Sequence, residues 1–119
     1  MKKIEAFVPQ KVVKNIKLAL RDVFKEEFPG ITITDVEGCG RGHSNIHTWG
    51  KKEFEVDVFP KTKIEIIVAD SDVEKVISAI IEAVKKSNLG IKHQGKIFVY
   101  NIEDAIRIRD GKRGEEIVK

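Results

Sequence analysis

The pattern of apolar and polar positions predicts six main elements in the order strand, helix, strand, strand, helix, strand. Lys3 to Val8 alternates in a way that predicts a strand with a partly buried second face. Ile31 to Glu37 alternates with β-branched residues, and extended structure resumes near Phe54 and continues to Val68, with Pro60 as an interruption. The apolar run from Ile97 to Tyr100 predicts the last strand.

Two helices lie between these strands. From Val12 to about Phe28, apolar residues recur at steps of three and four, and Pro29-Gly30 ends the helix. Ser71 to Glu74 has the spacing of a capping box, which predicts that the second helix begins there.

This order of elements is the α+β, ferredoxin-like split βαβ arrangement, and residues 1–119 suffice for one domain with its own core. Two helices cover only one face of such a sheet. The other face would carry Phe7, Val36 and Ile67. Because a monomer would expose that apolar face to water, the pattern predicts an oligomer.

A long loop separates the second and third strands. Gly38 to Glu53 comprises sixteen residues with four glycines and little periodicity. A loop of this length in a compact domain is usually functional or disordered.

The charge balance indicates a solvated surface and a small anionic ligand rather than a nucleic acid. The net charge of +3 arises from 22 basic and 19 acidic side chains that are interspersed along the chain. One cysteine excludes an intrachain disulfide, and no apolar run is long enough to insert in a membrane. The first residues lack the apolar region of a signal peptide, so a cytoplasmic location is expected.

Candidate chemistry concentrates between Gly95 and Gly114. If the chain is extended from Ala105 onward, Ile106 and Ile108 face the core while Arg107 and Arg109 stand together on the other side. With Lys96 they would form a clamp for a polyphosphate, because the guanidinium fork matches phosphate oxygens. The alternative is that both arginines solvate the outer face of an edge strand.

Three further features of the long loop allow a functional and an ordinary interpretation. The glycine-rich run from Gly38 to Gly42 can cradle phosphate with its backbone N–H groups or form a plain turn. Cys39, His43 and His47 have zinc-binding chemistry, but their spacing suits a helix and the segment is glycine-rich, so no metal site is predicted. Trp49 either anchors a partner or packs on its own subunit, and the second is favoured.

Three blocks of sequence resemble the PII signal-transduction family. GKIFV followed by DAIRIRDGKRGE, from Gly95 to Glu115, is similar to the C-terminal pattern of that family. Glu37 to Arg41 and Phe59 to Val68 resemble the two ends of its central loop, and Met1 to Ala6 resembles its first strand. The resemblance spans nearly the whole chain and implies a trimer that regulates a target of nitrogen metabolism.

The resemblance also implies a nucleotide site in the clefts between subunits and a partner-binding loop. The expected effector is ATP or ADP, with or without Mg²⁺, and the expected target is an ammonium channel, a biosynthetic enzyme or a transcription factor. The residues implied for the nucleotide site are Thr32, Gly38, Gly40, Arg41, Lys61, Ile67, Gly95, Lys96, Arg107 and Arg109. Those implied for the loop are Gly42, His43, Ser44, Asn45, Ile46, His47, Thr48, Trp49, Gly50 and Lys51.

The chain departs from the family pattern at two places. His93-Gln94 replaces a Gly-Asp pair before Gly95-Lys96, which predicts weaker nucleotide affinity or an altered nucleotide preference. Gly42 stands where most members carry a glutamine that helps to hold the metal and 2-oxoglutarate, which argues against 2-oxoglutarate as an effector. The loop tyrosine that some bacteria uridylylate is either replaced by Phe54 or absent, so that modification is not expected.

No triad or acid–base pair is visible in the sequence, so an enzyme is not expected. The best enzymatic rival is a small phosphatase that grips an acyl phosphate with Arg41 or Arg107. A third class is a trimeric ferredoxin-like protein that binds metal or handles small phosphates without sensing nucleotides.

Overall fold

Helices and long strands alternate along the chain in the order that the apolar pattern predicts. The computed structural model describes the backbone of residues 1–40, 47–49, 52–54, 57–87 and 95–119, and the side chains of residues 1–38, 60–87 and 95–119. The elements are β1 (Lys2–Val8), α1 (Val13–Phe24), β2 (Thr32–Gly40), β3 (His47–Trp49), β4 (Lys52–Phe54), β5 (Asp57–Val68), α2 (Val73–Lys86) and β6 (Lys96–Asn101).

The four long strands form one antiparallel sheet in the order β2, β5, β1, β6. β1 lies in the interior and pairs with β5 on one side and with β6 on the other. The two helices form the crossovers of a split βαβ unit. This topology confirms the predicted ferredoxin-like α+β fold.

The core lies between the helices and one face of the sheet. Alternation along β1 sends Ile4, Ala6 and Val8 to this side, where each is at most 2% exposed. The three- and four-residue spacing of the helices supplies the opposing layer. Its buried members are Val12, Ile16, Leu20, Val76, Ile80 and Val84, which meet Ile64, Ile66 and Val68 of β5.

The other face of the sheet has no helix over it, and we call it the open face. It is formed by Lys3, Glu5, Phe7, Thr32, Thr34, Val36, Lys61, Lys63, Glu65, Ile67, Phe98 and Tyr100. Phe98 and Tyr100 are each 44% exposed, although the Phe98 ring packs edge-on against Phe7 with centroids 6.0 Å apart. An uncovered face with exposed aromatic rings agrees with the sequence prediction.

Charged side chains also occupy the centre of the open face, which was predicted to be apolar. Lys3 Nζ lies 3.3 Å from Glu5 and 3.6 Å from Glu65, and the Tyr100 hydroxyl donates to Glu5 at 3.2 Å. The hydrogen bond to Glu5 raises the pKa of Lys3. Glu5 is buried, so its charge is compensated by direct partners. The face is therefore mixed rather than uniformly apolar.

Both helices differ from the sequence prediction at one end. α1 ends at Phe24 rather than near Phe28, because Lys25 adopts a positive φ of 54° and a short 3₁₀ turn follows before Pro29. The predicted capping box at Ser71 is wrong. Residues Asp70–Asp72 form a 3₁₀ turn, and α2 begins at Val73 without a side-chain cap.

The predicted loop from Gly38 to Glu53 is wrong at its edges. β2 continues through Gly38 to Gly40, since backbone pairing with Asp57–Phe59 offsets the low strand propensity of glycine. The short strand β3 lies inside the segment that was predicted as a loop, and it pairs with β4, which begins in that segment and ends at Phe54.

Pro60 does not interrupt β5, which runs continuously from Asp57 to Val68. It pairs with Glu37 of β2, whereas pairing with β1 starts only at Thr62. Proline is tolerated there because β5 has a neighbour on one side only at that point. No helix of the described part of the chain is long and apolar enough to span a membrane.

Candidate functional site

The first part of the candidate site lies where β6 begins. Gly95 has a φ of +113°, and a β-carbon at this position would overlap the carbonyl oxygen of Phe7 and lie 3.1 Å from its carbonyl carbon. Only glycine tolerates both the backbone conformation and this close approach. Gly95 therefore has a structural role whether or not it contacts a ligand, and it fixes the start of the strand that carries Lys96.

A cavity of about 370 Å³ lies beside Lys96, between α2 and β6. Its walls are mostly apolar, and its cations are Lys85 and Lys96. Of the ten residues predicted for nucleotide binding, this cavity is lined by Gly95 and Lys96. At the start of β6, one chain therefore places the positive charge of Lys96 beside the apolar wall of the cavity.

A second group of predicted residues lies on β2 and β5. The register places Thr32 opposite Glu65, Lys61 opposite Val36 and Ile67 opposite Lys3, so all three predicted residues point to the open face. Two glycines predicted for the site, Gly38 and Gly40, also belong to this group and lie on β2. At about 4.8 Å per strand spacing, the members on β2 lie three spacings, roughly 14 Å, from β6, and Lys61 and Ile67 on β5 lie two spacings, roughly 10 Å, from it.

The third group, Arg107 and Arg109, follows β6 at the other end of the sheet. Ile102 N–H donates to the Met1 carbonyl at 3.1 Å, and the Met1 ammonium lies 2.9 Å from Asp70 and 3.6 Å from Glu115. These contacts hold the C-terminal segment at the end of the sheet where β1 begins.

Lys96 lies at the opposite end, where it pairs with Phe7. The six residues of β6 span about 17 Å, so Lys96 and the two arginines are anchored far apart in one chain. One subunit therefore does not bring the three cations together, and their joint contact with one ligand stays a prediction. A ligand that contacts all three would have to lie between two copies of the chain.

The predicted strand through Arg107 and Arg109 is also wrong. Ile106 pairs with Arg113 in an isolated bridge, and the chain turns back between them with Gly111 at a φ of +71°. Ile106 is 52% exposed and Ile108 is 99% exposed, so neither faces the core. The five alternating residues from Ala105 to Arg109 are compatible with a strand or with a tight loop. Gly111 favours the loop, because glycine readily adopts the positive φ that the turn requires.

Two ion pairs hold this C-terminal loop. Arg107 Nε and a terminal guanidinium nitrogen donate to the two carboxylate oxygens of Asp110 at 3.1 and 2.8 Å. Arg113 donates to Asp104 at 2.8 Å through Nε. The hydrogen bonds from the arginines hold the pKa of both carboxyls below their usual range. Sequence reasoning overlooked both aspartates, although an aspartate three residues after an arginine is well placed to pair across a turn.

Comparison with known proteins identifies the family. The model of the family described as nitrogen regulatory protein P-II matches residues 1–112. A nitrogen regulatory protein P-II from Rhodospirillum rubrum is 41% identical over 118 residues, which cover 99% of this chain and 100% of the relative. One from Bradyrhizobium diazoefficiens is 42% identical with the same coverage, and one from Pyropia yezoensis is 41% identical over 92% of each chain. The chain belongs to the P-II family.

Membership confirms the resemblance found in the sequence and makes the protein a P-II signal-transduction regulator. Several residues implied by that resemblance lie outside the described residues of this P-II chain. They are Arg41, the loop residues 42–46, Gly50 and Lys51, and the departure at His93-Gln94. The backbone of His47–Trp49 is described as β3, and the zinc hypothesis for Cys39, His43 and His47 concerns side chains outside the described set.

The two aspartate–arginine pairs of the P-II chain predict how its C-terminal loop responds to acid. A carboxyl whose pKa is lowered by folding stabilises the folded form above its unfolded pKa, about 3.9 for aspartate, and loses that contribution as the pH falls through the lowered folded value. We expect the carboxyl-carbon NMR resonances of Asp104 and Asp110 to titrate with midpoints below the unfolded value of about 3.9. A midpoint at or above that unfolded value for either aspartate would contradict its ion pair.

Proposed function

We propose that this protein binds an adenine nucleotide, ATP or ADP with or without Mg²⁺, in clefts between the subunits of a homotrimer. Nucleotide binding would change the Gly38–Glu53 loop and thereby control a protein target, such as an ammonium channel, a biosynthetic enzyme or a transcription factor. The proposal includes a cytoplasmic location and a regulatory rather than enzymatic role, for which family membership is the support.

The observation that carries the proposal is the separation of the predicted cations. Lys96 lies at one end of β6, and the loop with Arg107 and Arg109 is anchored at the other. A polyphosphate that binds both ends must contact two copies of the chain. The open face supplies a surface for such copies, because its aromatic residues Phe98 and Tyr100 are partly exposed.

The first expected result concerns the assembly. Sedimentation at micromolar concentration should give a mass three times the chain mass of 13.5 kDa. Replacing Phe98 with aspartate should reduce the mass towards that of the monomer, because it places a charge on the apolar part of the open face. The exposed helix residue Leu18, replaced in the same way, is the matched control and should leave the trimer intact. A monomeric wild-type protein would contradict the proposed architecture.

The second expected result concerns the ligand. Calorimetry with ATP, ADP and AMP on protein freed of bound ligand should detect binding of at least one nucleotide. Lys96→Gln should weaken it on the order of ten- to a hundredfold, since a charge-assisted hydrogen bond is worth roughly 1.5–3 kcal/mol. Lys86→Gln is the matched control and should leave the affinity unchanged, because Lys86 is an exposed lysine at the end of α2 that does not line the cavity. The absence of heat with all three nucleotides would mean that the nucleotide proposal has failed.

The third expected result concerns the loop. The chain has a single tryptophan, Trp49, which lies in the proposed partner-binding segment. Its fluorescence therefore reports on the loop alone. We expect saturating ATP or ADP to change the emission of Trp49, and identical spectra with and without bound nucleotide would contradict coupling between the site and the loop.

A further inference from the structure

The C-terminal loop is closed by its own hydrogen bonds. Arg107 N–H donates to the Lys112 carbonyl at 2.8 Å, and Gly111 N–H donates to the Arg107 carbonyl at 2.7 Å. Gly114 N–H adds a third bond to the Ala105 carbonyl at 3.0 Å. Residues 107–112 therefore form a fixed turn, and the side chains on it have defined neighbours.

Asp110 occupies the guanidinium fork of Arg107 within this turn. Its two oxygens accept from Nε at 3.1 Å and from a terminal nitrogen at 2.8 Å, which is the bidentate geometry that a phosphate would use. One of these oxygens also accepts the Lys112 N–H at 3.1 Å, so the backbone of the turn fixes the carboxylate in place. The Arg107 and Asp110 side chains are 39% and 30% exposed, which leaves the pair accessible to a ligand.

The two arginines implied for phosphate binding are therefore unequal. Arg107 is paired with a carboxylate, whereas Arg109 is exposed and has no ion-pair partner among the described residues. Arg109 can receive a phosphate without giving up another contact. Arg107 must first exchange a carboxylate for it.

We propose that Asp110 is an internal competitor for the nucleotide phosphate, which holds the fork of Arg107 until a ligand displaces it and so sets the nucleotide affinity. This inference rests on the proposed nucleotide site. Asp110 acts in two ways: it fills the donors that the phosphate needs, and its negative charge repels the incoming phosphates. Because the repulsion grows with ligand charge, Asp110 should weaken the binding of ATP more than the binding of AMP.

An opposite role for the same contact can be distinguished by its sign. If Asp110 instead orients Arg107 towards the ligand, its removal weakens binding. Competition requires that its removal strengthens binding. The direction of the change in affinity therefore decides between the two roles.

The test is Asp110→Asn, measured by calorimetry with ATP, ADP and AMP. Asparagine keeps an oxygen that can accept the Lys112 N–H but removes the charge and the second acceptor. We expect the ATP dissociation constant to fall roughly three- to tenfold at low salt, with a smaller gain for AMP and a smaller gain at high salt.

Asp104→Asn is the matched control, since it removes the same charge from the same loop but releases Arg113. It should change the ATP dissociation constant less than about twofold, because screening weakens a charge that does not contact the ligand. An equal gain in ATP affinity in both variants would mean that only the net charge matters, and it would overturn the proposed competition by Asp110.

The remaining outcomes separate the inference from the function on which it rests. If wild type binds a nucleotide and Asp110→Asn binds it with equal or lower affinity, the competitor role of Asp110 is overturned and the nucleotide site still stands. Binding by Asp110→Asn alone supports the competitor. No binding by either protein, each shown to be folded by circular dichroism, overturns both proposals.

Discussion

Replacing Gly95 with alanine should lower the free energy of unfolding by about 3 kcal/mol or more. Two costs add at this position. The φ of +113° is strained for a residue with a β-carbon, and that carbon would overlap the Phe7 carbonyl oxygen. The carbonyl belongs to β1, which lies in the interior of the sheet, so the neighbouring backbone has little freedom to move away.

Gly30→Ala is the control that separates these costs. Gly30 also has a positive φ, +88°, but a β-carbon there would have nothing within 4 Å. We expect Gly30→Ala to cost only about 1–2 kcal/mol from the backbone conformation. Urea unfolding of both variants at one chain concentration measures the difference, since the stability of an oligomer depends on concentration. Equal losses would mean that the approach of Gly95 to Phe7 has no energetic consequence.

The elements of the fold could be predicted because their patterns extend over many residues. The alternation of Ile4, Ala6 and Val8 matches their burial, and the spacing of Ile16 and Leu20 matches the buried side of α1. Burial of apolar surface dominates folding, so a long pattern of either period determines the element.

The predictions that failed depended on few residues and on local competition. A capping box at Ser71 requires a non-helical backbone, but the 3₁₀ turn at Asp70–Asp72 already brings the chain into α2. The alternation from Ala105 to Arg109 is too short to define a strand. There the turn at Gly111 and the pairing of Arg107 with Asp110 determine the structure.

The sequence names candidate residues for the site, but it does not give their arrangement in space. Lys96 and Arg109 are close in sequence, which suggested a single clamp. β6 lies between them and is extended, so it carries the two ends of the segment apart. The sequence contains the residues of a candidate site, whereas the topology shows that one chain does not bring these cations together.

The second large effect should come from the arginines themselves. If Arg109 grips the polyphosphate, Arg109→Ala removes charge-assisted hydrogen bonds worth about 1.5–3 kcal/mol and weakens nucleotide binding on the order of ten- to a hundredfold. Folding should barely change, because the Arg109 side chain is exposed. Arg113→Ala is the control from the same loop, since Arg113 is paired with Asp104 and is not part of the predicted site.

Arg107→Ala should also weaken binding, but by less than Arg109→Ala, because the wild-type arginine must release Asp110 before it gains the phosphate. In the Asp110→Asn background that cost is gone, so the same Arg107→Ala substitution should have a larger effect there. A double-mutant cycle of Arg107 and Asp110, measured by calorimetry with ATP, gives this coupling directly. The oligomer mass of each variant must be measured in parallel. Dissociation of the trimer in Arg107→Ala or Arg109→Ala would mean that these arginines join subunits rather than hold a nucleotide.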